Sequence, residues 1–210
     1  MKQTITVEHV RQALLKPLPG RDAQLKMSTR PRPGDAPPFD ESRFRDGAVL
    51  ILLYPWEGEL YLPLTKRAAS VESHKGHISL PGGAREPAET LIQTALRESS
   101  EEIGVKVAEE SVLGALSVIY VPVSRYRVTP FVAAMEDAPD YRPDSGEVEE
   151  IIETPLQLFL DENNVSHEWQ THMNKRMLVP FYRLGRHKIW GATAMILSEF
   201  VELLSNYVES

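Results

Sequence analysis

One unbroken apolar segment constrains the fold of this 210-residue chain more than any other feature. It reads Gly-Ala-Val-Leu-Ile-Leu-Leu-Tyr over residues 47–54 and lacks the apolar–polar alternation of a strand with one face in water. A strand of this kind is buried on both faces, which requires further layers above and below its sheet. We therefore predict a layered α/β sandwich.

Further strands and helices are predicted on both sides of this segment. A turn over residues 55–58 leads to a returning strand over 60–65, in which Pro63 indicates an edge or an irregular position. The other predicted strands cover residues 111–121, 126–134, 148–153 and 177–182, and the predicted helices cover residues 6–16, 88–103 and 192–207. The last helix has a predicted buried stripe of Ala194, Leu197, Val201 and Leu204.

The N-terminal region differs in composition from the rest of the chain. Residues 17–38 carry six of the sixteen prolines together with basic residues, which predicts an extended arm or linker. The chain is accordingly divided into an N-terminal helix and proline-rich arm, residues 1–44, and a main domain, residues 45–210. The arm either lies over the main domain or a partner, or is a tail without a role.

Composition excludes several classes of protein. The 30 Asp and Glu residues outnumber the 23 Lys and Arg, and the net charge of −7 argues against binding nucleic acid through overall charge. The lack of Cys excludes disulfides, a thiol nucleophile and a Cys-ligated metal. No segment resembles a signal peptide or a membrane span, so we expect a cytoplasmic protein without a membrane or nucleic-acid partner.

Three carboxylates cluster on the helix predicted for residues 88–103. At about 100° per residue, Glu98, Glu101 and Glu102 share an arc roughly 100° wide beside the apolar face of that helix. Like charges at this spacing repel each other by roughly a few tenths of a kcal/mol per pair, and bound divalent cations would offset that repulsion. Mg²⁺ is the favoured cation because it prefers carboxylate, water and phosphate oxygens. The alternative is an acidic helix face exposed to solvent.

The residues around this cluster follow a fixed spacing, with glycine, glutamate and arginine at set positions. They are Gly83, Glu89, Arg97, Glu98, Glu101, Glu102, Gly104 and Val105. This pattern resembles the signature of the Nudix hydrolases. Ser99 departs from the signature, which prefers an aliphatic residue there. The resemblance implies a Nudix-type α/β/α sandwich with a mixed β-sheet and a loop–helix–loop motif. It also implies hydrolysis of a diphosphate that is linked to another moiety.

The resemblance further implies roles for individual residues. The implied ligands of two or more Mg²⁺ or Mn²⁺ ions are Glu98, Glu101, Glu102 and the backbone carbonyl of Gly82. Arg97 is expected to pair with neighbouring carboxylates rather than to touch the substrate, and Glu89 is expected to support them.

The general base is expected outside the signature or at its end. Several relatives take the base from a separate loop, which corresponds here to the acidic residues 144–150. Glu147 is the first candidate, Glu150 the second, and Glu101 is also a catalytic candidate. The alternative for this segment is a solvated acidic turn before a strand.

A second pattern lies mostly upstream of the signature. It consists of Leu64-Thr-Lys-Arg67, His74, Gly76, Pro81-Gly-Gly83 and the segment 190–193 before the last helix. This pattern resembles the coenzyme A pyrophosphatase branch of the family. The implied substrate-binding residues are Arg67, His74, Gly76 and Gly83. The implied substrate is coenzyme A or an acyl derivative, cleaved to 3′,5′-ADP and (acyl-)4′-phosphopantetheine.

Three residues depart from that branch and keep other functions open. Glu72 stands in place of Arg, His77 in place of Glu or Gln, and Leu80 in place of Phe. A carboxylate at position 72 would repel a multiply phosphorylated ligand, so ADP-ribose or another nucleoside diphosphate derivative is an alternative substrate. A non-catalytic Nudix-like ligand sensor is a second alternative, although sensors can lose the acidic triplet that this chain retains. Family relatives are often dimers, which leaves a homodimer open.

Overall fold

A computed structural model describes residues 4–31, 43–68, 77–172 and 175–208. The helices are α1 (Val7–Leu14), α2 (Gly20–Lys26), α3 (Leu91–Ile103), α4 (Gln157–Leu160) and α5 (Gly191–Val208). The strands are β1 (Arg45–Trp56), β2 (Glu59–Arg67), β3 (Ile78–Ser79), β4 (Gly82–Ala84), β5 (Val112–Ala115), β6 (Ile119–Val121), β7 (Tyr126–Ala134), β8 (Val148–Pro155), β9 (Val165–His172), β10 (Lys175–Leu184) and β11 (His187–Ile189). Within these ranges no helix has the length and apolarity needed to cross a membrane.

The main sheet is mixed and is centred on β1. This strand pairs in parallel with β7 and antiparallel with both β2 and β4. The sheet continues from β2 to β3 and β8, and from β7 to β5 and β6, which gives eight strands. A second sheet of three antiparallel strands has the order β11-β10-β9.

Helices cover both faces of β1, as its unbroken apolar sequence predicts. Ala48, Leu50 and Leu52 are fully buried in a cluster with residues of α3. Ile51 and Leu53 point to the opposite face and are buried in the larger core, to which α1 and α5 contribute. The prediction of an α/β/α sandwich with a mixed sheet is therefore confirmed.

The helix that carries the acidic cluster begins later than the sequence predicts. α3 starts at Leu91 because the Thr90 hydroxyl accepts a hydrogen bond from the Gln93 amide at 3.2 Å, and Gln93 Oε1 accepts one from the Thr90 amide at 2.9 Å. This reciprocal cap overrides the apolar pattern that extends back to residue 88. The helix ends at Gly104, as predicted, and this glycine has a φ of +73°.

The longer strands of the main sheet lie where the sequence predicts them. The segment 111–121 forms two short strands instead of one, and the sequence prediction lacks β3, β4, β9 and β11. At Pro63, β2 pairs with Glu153 of β8, whereas the register of β2 with β1 covers residues 59–61. The irregular position predicted for this proline is thus found where β2 separates from β1.

A helix lies inside the segment for which the sequence predicts an extended arm. Residues 20–26 form α2, which packs against α5. Ala23 is fully buried and Met27 joins the core. The prediction for residues 17–38 is therefore wrong in this part, and residues 32–42 lie outside the described residues.

A buried carboxyl group of α5 ties this N-terminal region to the core. Glu199 is fully buried and accepts hydrogen bonds from Gln24 Nε2 at 2.8 Å, from the Gly20 amide at 3.2 Å and from the Ser117 amide at 3.1 Å. Two of these donors belong to α2, and the third lies between β5 and β6. A buried carboxyl group needs such partners, so α2 and α5 depend on each other.

Candidate active site

The predicted site residues meet where α3 faces β4. Gly82 and Gly83 of β4 pair with β1, with Gly83 opposite Ala48. A Cβ atom on Gly83 would overlap the Glu98 carboxylate, and one on Gly82 would lie 2.6 Å from Val49 Cα. Gly82 is therefore required for the close approach of β4 to β1, and Gly83 leaves the space that the Glu98 carboxylate occupies.

Glu102 is the most buried carboxylate of the acidic cluster, with 3% of its side chain exposed. Its Oε2 accepts a hydrogen bond from the Gly82 amide at 3.2 Å, and its Oε1 lies 3.5 Å from Arg67 Nη1. Burial raises the pKa of Glu102 to about 7, because these two contacts compensate only part of the lost hydration. Glu102 thus joins α3 to β2 and β4.

The negative charges of Glu98 and Glu147 act on Glu102. Burial raises the pKa of Glu98, the charge of Arg97 lowers it, and nearby negative charges, among them Glu147, raise it further. The charges of Glu98 and Glu147 also raise the pKa of Glu102. Glu147 itself is exposed and lies in the turn before β8. Negative charges from two separate parts of the chain therefore act on Glu98 and Glu102.

Arg97 binds three carboxylates at once. Its Nε and Nη2 donate to the two oxygens of Glu89 at 2.7 and 3.3 Å, and its Nη1 donates to Glu98 Oε1 at 3.0 Å and Glu101 Oε2 at 2.7 Å. Nη2 also donates to the Ala84 carbonyl at 3.1 Å. The hydrogen bonds from Arg97 lower the pKa of Glu89 to about 2, and Glu89 in turn raises the pKa of Arg97. Arg97 thus fastens α3 to the loop that precedes it.

Two residues without a predicted role support Glu89. Thr94 Oγ1 donates to Glu89 Oε2 at 3.0 Å, and Arg85 Nε donates to the Glu89 carbonyl at 2.7 Å. Helical spacing could have indicated Thr94, which lies three residues before Arg97. The Arg85 contact depends on the backbone of the loop, so no spacing rule predicts it.

Glu150, the second candidate for the general base, pairs with basic residues of another part of the chain. Its oxygens lie 3.2 and 3.3 Å from Arg186 Nη2, and one of them lies 3.6 Å from His187 Nε2. Arg186 lies in the turn between β10 and β11, far from Glu150 in sequence, so no local pattern predicts the pair. This engagement favours Glu147 over Glu150 as the base.

A family model described as the NUDIX domain matches residues 44–174 of the chain. The chain belongs to the Nudix hydrolase family. One relative is the mitochondrial coenzyme A diphosphatase NUDT8 of Homo sapiens, which is 36% identical over 78% of this chain and 71% of the relative. Another is Nudix hydrolase 15, mitochondrial, of Arabidopsis thaliana, also 36% identical, over 75% of this chain and 59% of the relative.

Solved structures support the fold of this Nudix hydrolase. The crystal structure of a MutT/nudix family protein from Enterococcus faecalis matches with a TM-score of 0.57 and 14% identity, covering 97% of this chain and 76% of that chain. At this identity the likeness shows the fold alone. The predicted family, fold and enzyme class are confirmed, and the resemblance to the coenzyme A branch agrees with the human relative.

The donor set of this Nudix hydrolase fits divalent cations. Within residues 4–31, 43–68, 77–172 and 175–208, no three Asp, Glu, His or Cys side chains already enclose a metal position. Arg97 holds Glu101, which is 58% exposed, and Glu102 turns toward Gly82. However, the charges of Glu98 and Glu147 raise the pKa of Glu102, and such a concentration of negative charge is one that a hard cation would neutralise. Metal binding by Gly82, Glu98, Glu101 and Glu102 stays a prediction.

Of the four predicted substrate-binding residues, Arg67 and Gly83 lie within the described residues. Arg67 and Gly83 lie directly beside Glu102 and Glu98, respectively. The predicted residues His74 and Gly76, and also Glu72, lie outside the described residues. Their roles therefore stay predictions.

Proposed function

We propose that this Nudix hydrolase is a metal-dependent pyrophosphohydrolase that cleaves coenzyme A or acyl-coenzyme A to 3′,5′-ADP and (acyl-)4′-phosphopantetheine. The observation that carries the proposal is the position of Arg67, 3.5 Å from Glu102. Arg67 belongs to the coenzyme A pattern, whereas Glu102 belongs to the Nudix signature. Further support comes from the 36% identity to a protein named as a coenzyme A diphosphatase.

The reaction follows from the charges of substrate and site. A diphosphate is negatively charged and repels an attacking water. Bound Mg²⁺ or Mn²⁺ ions would neutralise this charge and activate the water, with Glu98, Glu101, Glu102 and the Gly82 carbonyl as ligands. Arg67 offers positive charge to the diphosphate, Arg97 positions the carboxylates of α3, and Glu147 accepts the proton of the water.

A comparison of substrates tests this proposal. We expect the purified protein with Mg²⁺ or Mn²⁺ to release 3′,5′-ADP from coenzyme A with a higher kcat/KM than it shows for ADP-ribose. Glu98→Gln is the control for a contaminating hydrolase. A much higher kcat/KM for ADP-ribose would contradict the coenzyme A assignment, and no cleavage across a broad panel of nucleoside diphosphate derivatives would favour a ligand sensor.

Glu72 bears on the choice between these two substrates. ADP-ribose lacks the 3′-phosphate of coenzyme A, so a carboxylate at position 72 favours it as the second candidate. If Glu72 weakens binding of the 3′-phosphate, Glu72→Arg should raise kcat/KM selectively for coenzyme A over dephospho-coenzyme A. An equal effect on both substrates would place Glu72 away from the 3′-phosphate.

The location and assembly of the protein stay predictions. We infer that the protein is cytoplasmic. Fluorescence microscopy of the tagged protein tests this inference, and signal confined to an organelle would contradict it. Light scattering of the purified protein tests the homodimer, and a monomeric mass at micromolar concentration would exclude it.

A further inference from the structure

A tilted pair of aromatic rings lies beside the site and has no role in the chemistry described so far. The ring centroids of His77 and Trp190 are 5.0 Å apart, and the ring planes are inclined at 56°. Both residues are half-buried. Aromatic side chains of this kind present flat faces on which a planar ligand stacks.

The strand register places His77 on the same face as Arg67. The Arg67 amide donates to the His77 carbonyl at 3.1 Å, which continues the antiparallel pairing of β2 with β3. Opposite residues on paired strands point to the same face, and Ile78, the next residue along, is buried in the core on the other face. His77 therefore lies beside Arg67, on the face from which Arg67 reaches Glu102.

Trp190 is held in place by the beginning of α5. Ile189, the last residue of β11, is fully buried, whereas Trp190, which follows it, is half-buried. Thr193, in the first turn of α5, donates through Oγ1 to the Ile78 carbonyl at 3.2 Å. This buried contact fixes α5 to β3 and thereby fixes Trp190 against His77.

We infer that His77 and Trp190 form a wall on which the nucleobase of the substrate stacks. Aromatic side chains bind the faces of bases without base-specific hydrogen bonds. Coenzyme A and ADP-ribose both carry an adenosine next to the diphosphate, so the wall serves either candidate substrate. The inference rests on the proposed function, because that function places the diphosphate at Arg67 and Glu102.

Direct binding of the nucleotides AMP and 3′,5′-ADP tests the wall without any turnover. We expect Trp190→Leu to weaken the binding of both nucleotides roughly tenfold, measured by titration calorimetry, because stacking is lost. Trp190→Phe keeps a ring and should restore most of the affinity. Trp169→Leu is the matched control, because Trp169 lies on β9, is 58% exposed and has Arg176 4.4 Å above its ring.

The outcomes of these titrations distinguish a nucleobase wall from a ring pair that only packs. Unchanged affinity for both nucleotides in folded Trp190→Leu would overturn the wall, and so would weakened binding of 4′-phosphopantetheine with intact nucleotide binding. If Trp190→Leu does not fold, His77→Asn decides in the same way. The protein could bind nucleotides through Trp190 and yet fail to cleave coenzyme A. That result would support the wall and refute the proposed substrate.

Discussion

Arg97 binds both carboxylate oxygens of Glu89, with distances of 2.7 Å from Nε and 3.3 Å from Nη2. A lysine in its place would keep the charge but lose the planar fork. We expect Arg97→Lys to lower kcat/KM about 10- to 100-fold, with reduced affinity for the activating cation, because the carboxylates of α3 lose their common support. Steady-state kinetics at several Mg²⁺ concentrations measure both effects.

The control for Arg97→Lys is Arg142→Lys. Arg142 pairs with Asp140 at 3.1 Å, and both side chains are at least 80% exposed, so this variant should behave like the wild type. Equal kinetics of the two variants would show that Arg97 has no special role.

Glu98→Gln and Glu102→Gln should each lower kcat by at least about 100-fold while the fold is kept. The amide keeps the volume of the side chain but removes the charge that a cation requires. Circular dichroism checks the fold, and Glu110→Gln, at an exposed position beyond α3, is the control. Near-normal turnover of both variants would identify the acidic helix face as merely solvated.

Glu147→Gln should lower kcat, by roughly 100-fold or more, and affect KM much less if Glu147 accepts the proton of the water. Glu150→Gln removes a carboxylate from the same segment that is paired with Arg186, and it should retain most of the activity. The opposite order of the two kcat values would transfer the role to Glu150. Little effect from either variant would leave Glu101 as the candidate.

In the metal-free protein, the contribution of Glu102 to stability should fall as the pH rises toward 7. Burial raises the pKa of Glu102 from 4.5 to about 7, so the folded state binds this proton more tightly than the unfolded state does. The resulting stability is fully present below about pH 4.5 and is lost as the pH rises through about 7. In urea unfolding with a chelator, Glu102→Gln should therefore exceed the wild type in stability at pH 8 more than at pH 5. A difference that does not change with pH would contradict this assignment.

Ser99→Ala should stabilise the protein by about 1 kcal/mol. Ser99 is fully buried, and within the described residues its hydroxyl has no hydrogen-bond partner. A buried unsatisfied hydroxyl is unfavourable by about 1–3 kcal/mol, and alanine removes it with little loss of volume. Urea unfolding measures the gain in stability. Ser100 is a half-buried neighbour, and Ser100→Ala should change the stability very little. A destabilised Ser99→Ala would indicate that the hydroxyl has a partner.

Local patterns predict the centre of this fold well. The apolar run over residues 47–54 and the glycine that ends α3 are signals that a short stretch of sequence carries by itself, and both elements are found as predicted. α2 is missed because its stability depends on Glu199, which binds Gln24 from 175 positions away. A short helix flanked by prolines gives little sign of such a partner.

In the candidate site, too, some features follow from local sequence and others depend on residues that are distant in the chain. Helical spacing brings Glu98, Glu101 and Glu102 to one side of α3. Spacing does not predict that Glu102 is buried and Glu101 is exposed, because that difference depends on β2 and β4. Motif resemblance supplies Arg67, whereas the pairing of Glu150 with Arg186 depends on a hairpin that the sequence prediction lacks.

The three hydrogen bonds of Glu199 have a consequence for how the protein unfolds. Residues 44–174, which match the family model, contain neither this carboxyl group nor the two donors from α2. A fragment with those limits would also leave Ile51 and Leu53 without the cover of α1 and α5. The flanking helices and the matched region should therefore melt in one cooperative transition, and trimming either end to the family boundaries should yield an aggregating chain instead of a smaller enzyme.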